Sequence, residues 1–153
     1  MSDYRNSYEA DVAAWSEHQA QLLRRAAAGE RVNDQLDWAN IAAEIQDVGA
    51  AERYRLAQRI GTVLEHLVRL SASPAADPRN GWEAAIRNAR RDMARTLKDS
   101  PSLSHEVAVM VAEETPGARE DAAASLADHG ETPLVDIAAL TFTEDQVLGP
   151  WLP

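Results

Sequence analysis

Apolar residues recur every three or four positions along most of this chain, the spacing that builds one face of an α-helix. In residues 8–28, Tyr8, Val12, Trp15, Leu22, Leu23 and Ala26 share a face, with Gln19 set inside the stripe. Ser7 is the expected N-cap, and Glu9 and Asp11 suit the positive helix end as Arg24 and Arg25 suit the negative one. Gly29 supplies the left-handed position that closes such a helix. A buried amide without partners costs about 1–3 kcal/mol, so Gln19 either bonds neighbouring backbone or points into a polar pocket between helices.

The stretch 34–70 carries the most regular pattern. Trp38, Ile41, Ala42, Ile45 and Val48 line a second helix capped by Asp34 or Asp37. Leu56, Ile60, Val63, Leu64, Leu67 and Val68 line a third over residues 51–71. Gly49 between them is expected to end or bend the helix, and Gly61 to mark a close approach of another helix. The segment 71–81, SASPAADPRNG, reads as a loop.

A fourth helix over 82–98 turns Trp82, Ile86, Ala89, Met93 and Leu97 inward, with Asn80 and Glu83 spaced as a capping box. Ser100 and Pro101 open a fifth, which carries Leu103, Val107, Met110 and Val111. Pro116-Gly117 is expected to break or kink it near Thr115, before residues 118–129 resume helix and Gly130 ends it. Thr143 and Gln146 form one more capping-box pattern ahead of Trp151 and Leu152. The four tryptophans mostly take inward helix positions. The expectation is an all-α fold: a compact single-domain helical bundle over residues 1–153, with five main helices and a short C-terminal one.

Composition agrees, with 45% apolar residues and few strand formers. The absence of cysteine excludes disulfides and thiolate chemistry. No apolar run approaches the roughly 20 residues that span a bilayer, and the polar start lacks a signal-peptide core, so a cytoplasmic location is expected. The net charge of −10 sits entirely in residues 99–153, where eleven carboxylates face only Arg119. Such a chain repels nucleic-acid phosphates on average.

Chemistry concentrates on one flank of the 34–70 stretch. Glu52, Arg59 and His66 lie seven apart, and Asp37 and Glu44 repeat that spacing. Were the chain to fold back at Gly49, these five residues and Gln19 would line a polar groove between helices two and three. Carboxylates and histidine on facing helices can hold a metal or do acid–base work. Arg59 in mid-column disfavours a cation, and the same residues suit an ion-pair seam. A basic stripe of Arg87, Arg90, Arg91, Arg95 and Lys98 marks helix four, where the acidic segment that follows is expected to neutralise it. No phosphate loop, dinucleotide, serine-hydrolase or zinc-protease motif occurs.

Several phrases, taken together, resemble a known family. They are Tyr8-Glu9, Trp15, Gln19-Ala20 and Leu22-Leu23; Leu36-Asp37, Asn40-Ile41-Ala42, Glu44-Ile45, Val48-Gly49 and Glu52-Arg53; Arg59-Ile60, Leu64 and His66-Leu67; Pro74; Trp82 and Ile86; Asp99-Ser-Pro-Ser-Leu103; and Phe142-Thr143, Gln146 and Leu152-Pro153. They are similar to the bacterial all-helical proteins filed as domain of unknown function 29. The resemblance implies a compact helical fold and a cytoplasmic bacterial protein, and brings no activity. The chain departs from the pattern at Ala50-Ala51 and at Thr115-Pro-Gly117.

The leading expectation is a non-catalytic interaction or regulatory module with no cofactor and no metal. It associates with itself or another protein through an apolar helix face, and with neither nucleic acid nor membrane. The alternative is an enzyme or a small-ligand or metal binder that uses Asp37, Glu44, Arg59 and His66.

Overall fold

The computed structural model describes residues 7–153, which form helices and turns with no strand among them. The backbone divides into two units, Met1–Ala50 and Ala51–Pro153. Each has its own core.

In the first unit, α1 spans Val12–Ala27. Its N-cap is Asp11, whose carboxylate accepts the Ala14 amide at 3.0 Å. The cap expected at Ser7 is displaced: the Ser7 carbonyl closes a turn by accepting the Ala10 and Asp11 amides. At the other end the Gly29 amide donates to Ala26 and the Glu30 amide to Arg25, both at 3.0 Å, with Gly29 at φ +90°. This is the Schellman arrangement that the glycine foretold. A 3-10 turn, Asn33–Gln35, leads to α2, Trp38–Ala72. Trp15, Leu22, Val32, Leu36 and Ile41 are buried together, with Tyr8 set edge-on to Trp15 at 4.9 Å between ring centroids.

Gly49 does not break the chain, and the two helices expected on either side of it are one helix of 35 residues. A glycine inside a helix costs about 1 kcal/mol relative to alanine, which is a penalty and not a stop. No proline or capping residue follows it, and Ala50, Ala51 and Glu52 all favour helix.

In the second unit, the later part of α2 packs with α3 (Arg79–Asp99) and α4 (Val107–Asp128). Leu56, Ile60, Leu64 and Leu67 of α2 meet Ile86 and Met93 of α3 and Val107 and Val111 of α4 in one core. Gly61 does mark a close approach: a Cβ there would lie 3.2 Å from Glu114 Oε2 on α4. α3 begins without a side-chain cap, so the Asn80–Glu83 box is not formed. Pro101 starts a 3-10 segment, Pro101–Glu106, that runs into α4.

The break expected at Pro116 is absent, since α4 continues through it to Asp128. Thr115, Ala118, Ala122 and Leu126 carry the buried face past the proline, and the Thr115 hydroxyl donates to the Val111 carbonyl at 2.6 Å. Packing on both sides outweighs the lost backbone bond. Gly130, at φ +67°, ends the helix in the manner of Gly29.

The last helix, α5, spans Glu144–Leu148 and opens with the expected capping box. Gln146 N–H donates to Thr143 Oγ1 at 3.2 Å, and Thr143 N–H to Gln146 Oε1 at 2.9 Å. Val147 is fully buried, and the Arg90 guanidinium donates to the carbonyls of Gln146, Val147 and Trp151 at 2.7–2.9 Å. Among the described residues no helix is long and apolar enough to cross a membrane.

Candidate functional site

With α2 unbroken, the candidate polar residues divide into two sets. Gln19, Asp37 and Glu44 belong to the first unit, where side chains bring them into one network. Glu52, Arg59 and His66 belong to the second, where nothing joins them.

The first network centres on Asp37. Its backbone N–H donates to Gln19 Oε1 at 2.9 Å, so Gln19 takes the backbone partner that its burial required. Its Oδ2 accepts from the Trp15 indole at 3.1 Å and from the Asn40 amide side chain at 2.7 Å. Its Oδ1 faces the Asn40 backbone N–H at 3.4 Å, the geometry of an N-cap. The Asn40 hydrogen bond holds the Asp37 carboxyl below its ordinary pKa, against the opposing effect of burial. About two turns along α2, Glu44 Oε1 accepts the Tyr8 hydroxyl at 2.5 Å, and that hydrogen bond raises the pKa of the phenol. Both Asp37 oxygens are already accepting, so this carboxylate is arranged to fasten α1 to the start of α2. It is not poised to take a proton.

In the second unit each residue has its own partner. Glu52 pairs with Arg55 at 2.6 Å and Arg59 with Asp92 at 3.3 Å. His66 Nδ1 donates to the Thr62 carbonyl at 2.8 Å. Glu52 and His66 are separated by fourteen residues, about 21 Å of helix at roughly 1.5 Å per residue. They cannot share a ligand. No cluster of three metal-ligating side chains occurs among the described residues.

The basic stripe of α3 is not cancelled by the acidic segment as expected. Arg90 holds the C-terminal turn, Arg91 bonds Asn88, and Arg87 reaches Glu83 only at 4.0 Å. Glu106 of the acidic segment pairs instead with Arg53 of α2.

Two features were not legible in the sequence as candidates. The first is an apolar stripe on the N-terminal part of α2. Trp38 is 54% exposed, Ile45 68% and Val48 67%, where an inward face was expected. Trp151 is likewise exposed, while Trp15 is buried as expected. Periodicity identifies a face but not what covers it. The second is a groove between α2 and α3 within the second unit, lined by Arg55, Arg59 and Arg95 among others. The four-residue step from Arg55 to Arg59 was visible in the sequence; its juxtaposition with Arg95 depends on how the helices pair.

A family model described as Domain of unknown function DUF29 matches residues 7–150. No curated protein and no solved structure matches the chain.

Proposed function

The chain belongs to the DUF29 family, and from that premise we propose that it is a non-catalytic interaction module whose α2 stripe pairs with a second copy of itself. The observation that carries this reading is the exposure of Trp38, Ile45 and Val48 along one side of a single helix. Solvent contact of this kind is costly at about 25 cal/mol per Å² of apolar surface.

Self-pairing is favoured over another partner by the order of side chains. Along the stripe, Trp38, Ala42, Ile45 and Gly49 alternate large and small at helical spacing. Two copies running antiparallel about an axis between residues 43 and 44 would set Trp38 against the partner's Gly49. The same axis sets Ala42 against the partner's Ile45. Each bulky group then meets a small one, the self-complementarity that an isologous interface requires. Trp38 is also held ready, its indole N–H donating to the Asn33 carbonyl at 3.2 Å so that the ring presents apolar surface. One helix face is a small interface, so association in the micromolar range is expected. A cytoplasmic location belongs to the same reading.

The chain has no cysteine, which makes a cross-linking test direct. Ala42→Cys and Ile45→Cys chains, mixed under mild oxidation, should form the mixed disulfide dimer in preference to either homodimer. Failure to cross-link above the level of a cysteine placed at Val109, on α4, would overturn the antiparallel pairing.

A further inference from the structure

We propose that the groove between α2 and α3 in the second unit binds a small phosphate-bearing molecule. The groove has a volume of about 450 Å³, within the range of roughly 300–1,000 Å³ typical of small-ligand sites. Arg55 and Arg59 enter it from successive turns of α2, and Asp92, Arg95 and Thr96 from α3. Three guanidinium groups against Asp92 in the lining and Glu52 beside Arg55 still leave it net positive, in a chain whose overall charge is −10.

The partners of these arginines are weak or absent. Arg55 is held by Glu52 and Arg59 by Asp92, both as exposed pairs. Pairs of that kind contribute at most about 1 kcal/mol and exchange readily for a better anion. Arg95 makes no hydrogen bond and no ion pair among the described residues. Arginines four apart on a helix also repel one another. The groove therefore keeps one unpaired cation, Arg95, beside two guanidinium groups whose exposed carboxylate partners a better anion can displace.

The geometry points to a phosphoryl group in preference to a carboxylate. One arginine fork satisfies one carboxylate, whereas forks arriving from two helices suit an oxyanion with three equivalent oxygens and about two charges. The Thr96 hydroxyl offers a further donor, and Tyr54 forms an exposed wall against which the rest of a small molecule can lie. A nucleic-acid strand is disfavoured because no succession of aromatics follows the arginines and Asp92 stands in the groove.

The test is a pyrophosphate titration of the ¹⁵N-labelled protein at constant ionic strength. Saturable shifts should appear at the amides of residues 54–62 and 92–96. Arg95→Met should weaken binding about tenfold, the cost of losing one charge-assisted contact. Its unliganded melting temperature should stay unchanged, since the side chain has no structural partner. Shifts that never saturate, or that chloride reproduces, would overturn the proposal, as would undiminished affinity in Arg95→Met. Binding confined to phosphatidic-acid vesicles, with none to free pyrophosphate, would overturn it too.

Discussion

Gln19 on α1 accepts the backbone N–H of Asp37 at 2.9 Å, so a buried amide fastens the residue that caps α2. The bond joins residues eighteen positions apart in sequence. Gln19→Leu keeps the volume and removes the acceptor, which leaves the Asp37 N–H without its partner. The expected loss is about 1–3 kcal/mol, read as a lower urea midpoint at unchanged slope. An unchanged midpoint would show that water replaces the glutamine at no cost.

The Asp37 carboxyl adds a pH dependence of defined sign. Its pKa is lowered in the folded protein from the ordinary value of 3.8, chiefly by the Asn40 hydrogen bond. The unfolded chain therefore binds its proton first as the pH falls. The stabilisation is fully present above the ordinary value and is lost as the pH drops through the depressed, folded one. Wild type should exceed Asp37→Asn in stability near neutrality, and the gap should close below about pH 4. A gap that stays constant in acid would assign the difference to shape alone.

α4 carries Gly117 on its exposed side, where an added Cβ meets nothing within 4 Å. Because the helix continues through this position, Gly117→Ala should stabilise by roughly 0.5–1 kcal/mol. The thermal midpoint should rise accordingly. A fall would indicate that the helix is interrupted there after all.

Arg90 is the clasp of the C-terminal segment. Its guanidinium takes three carbonyls of residues 146–151 at a cost that shows in its lowered pKa, which burial causes. Arg90→Met should cost about 1.5–3 kcal/mol. The Val147 and Gly149 amides, bonded within α5, should exchange hydrogen much faster. Equal exchange rates in the two proteins would leave the burial of Val147 as the sole anchor.

The helical faces of this chain were legible because each follows from spacing alone. Gly29, Gly130 and the Thr143–Gln146 box were legible because each answers a local need for a left-handed residue or a paired donor. Gly49 and Pro116 do not end their helices because they act as penalties of limited size, and the helix on either side decides whether they matter. Of the polar residues that the spacing picks out, Gln19 bonds Asp37 directly, while Glu44 reaches them only through Tyr8 and Trp15. Their link to Arg59 and His66 rested on a turn that does not form. The exposure of Trp38 and the meeting of Arg59 with Arg95 depend on which surfaces other helices cover, and spacing along one helix carries no record of that.

The central claim is that the Trp38–Val48 face is an interface between copies, and mass in solution tests it most directly. Residues 7–50 hold eight carboxylates against three arginines, so like charge opposes the pairing and added salt should strengthen it. Light scattering across the micromolar range should show wild type passing from monomer to dimer, more readily at high salt. Ile45→Glu should remain a monomer with unchanged helicity, while Val109→Glu, also well exposed but on α4, should dimerise as wild type does. A wild-type protein that stays strictly monomeric through that range at both salt concentrations would contradict the account.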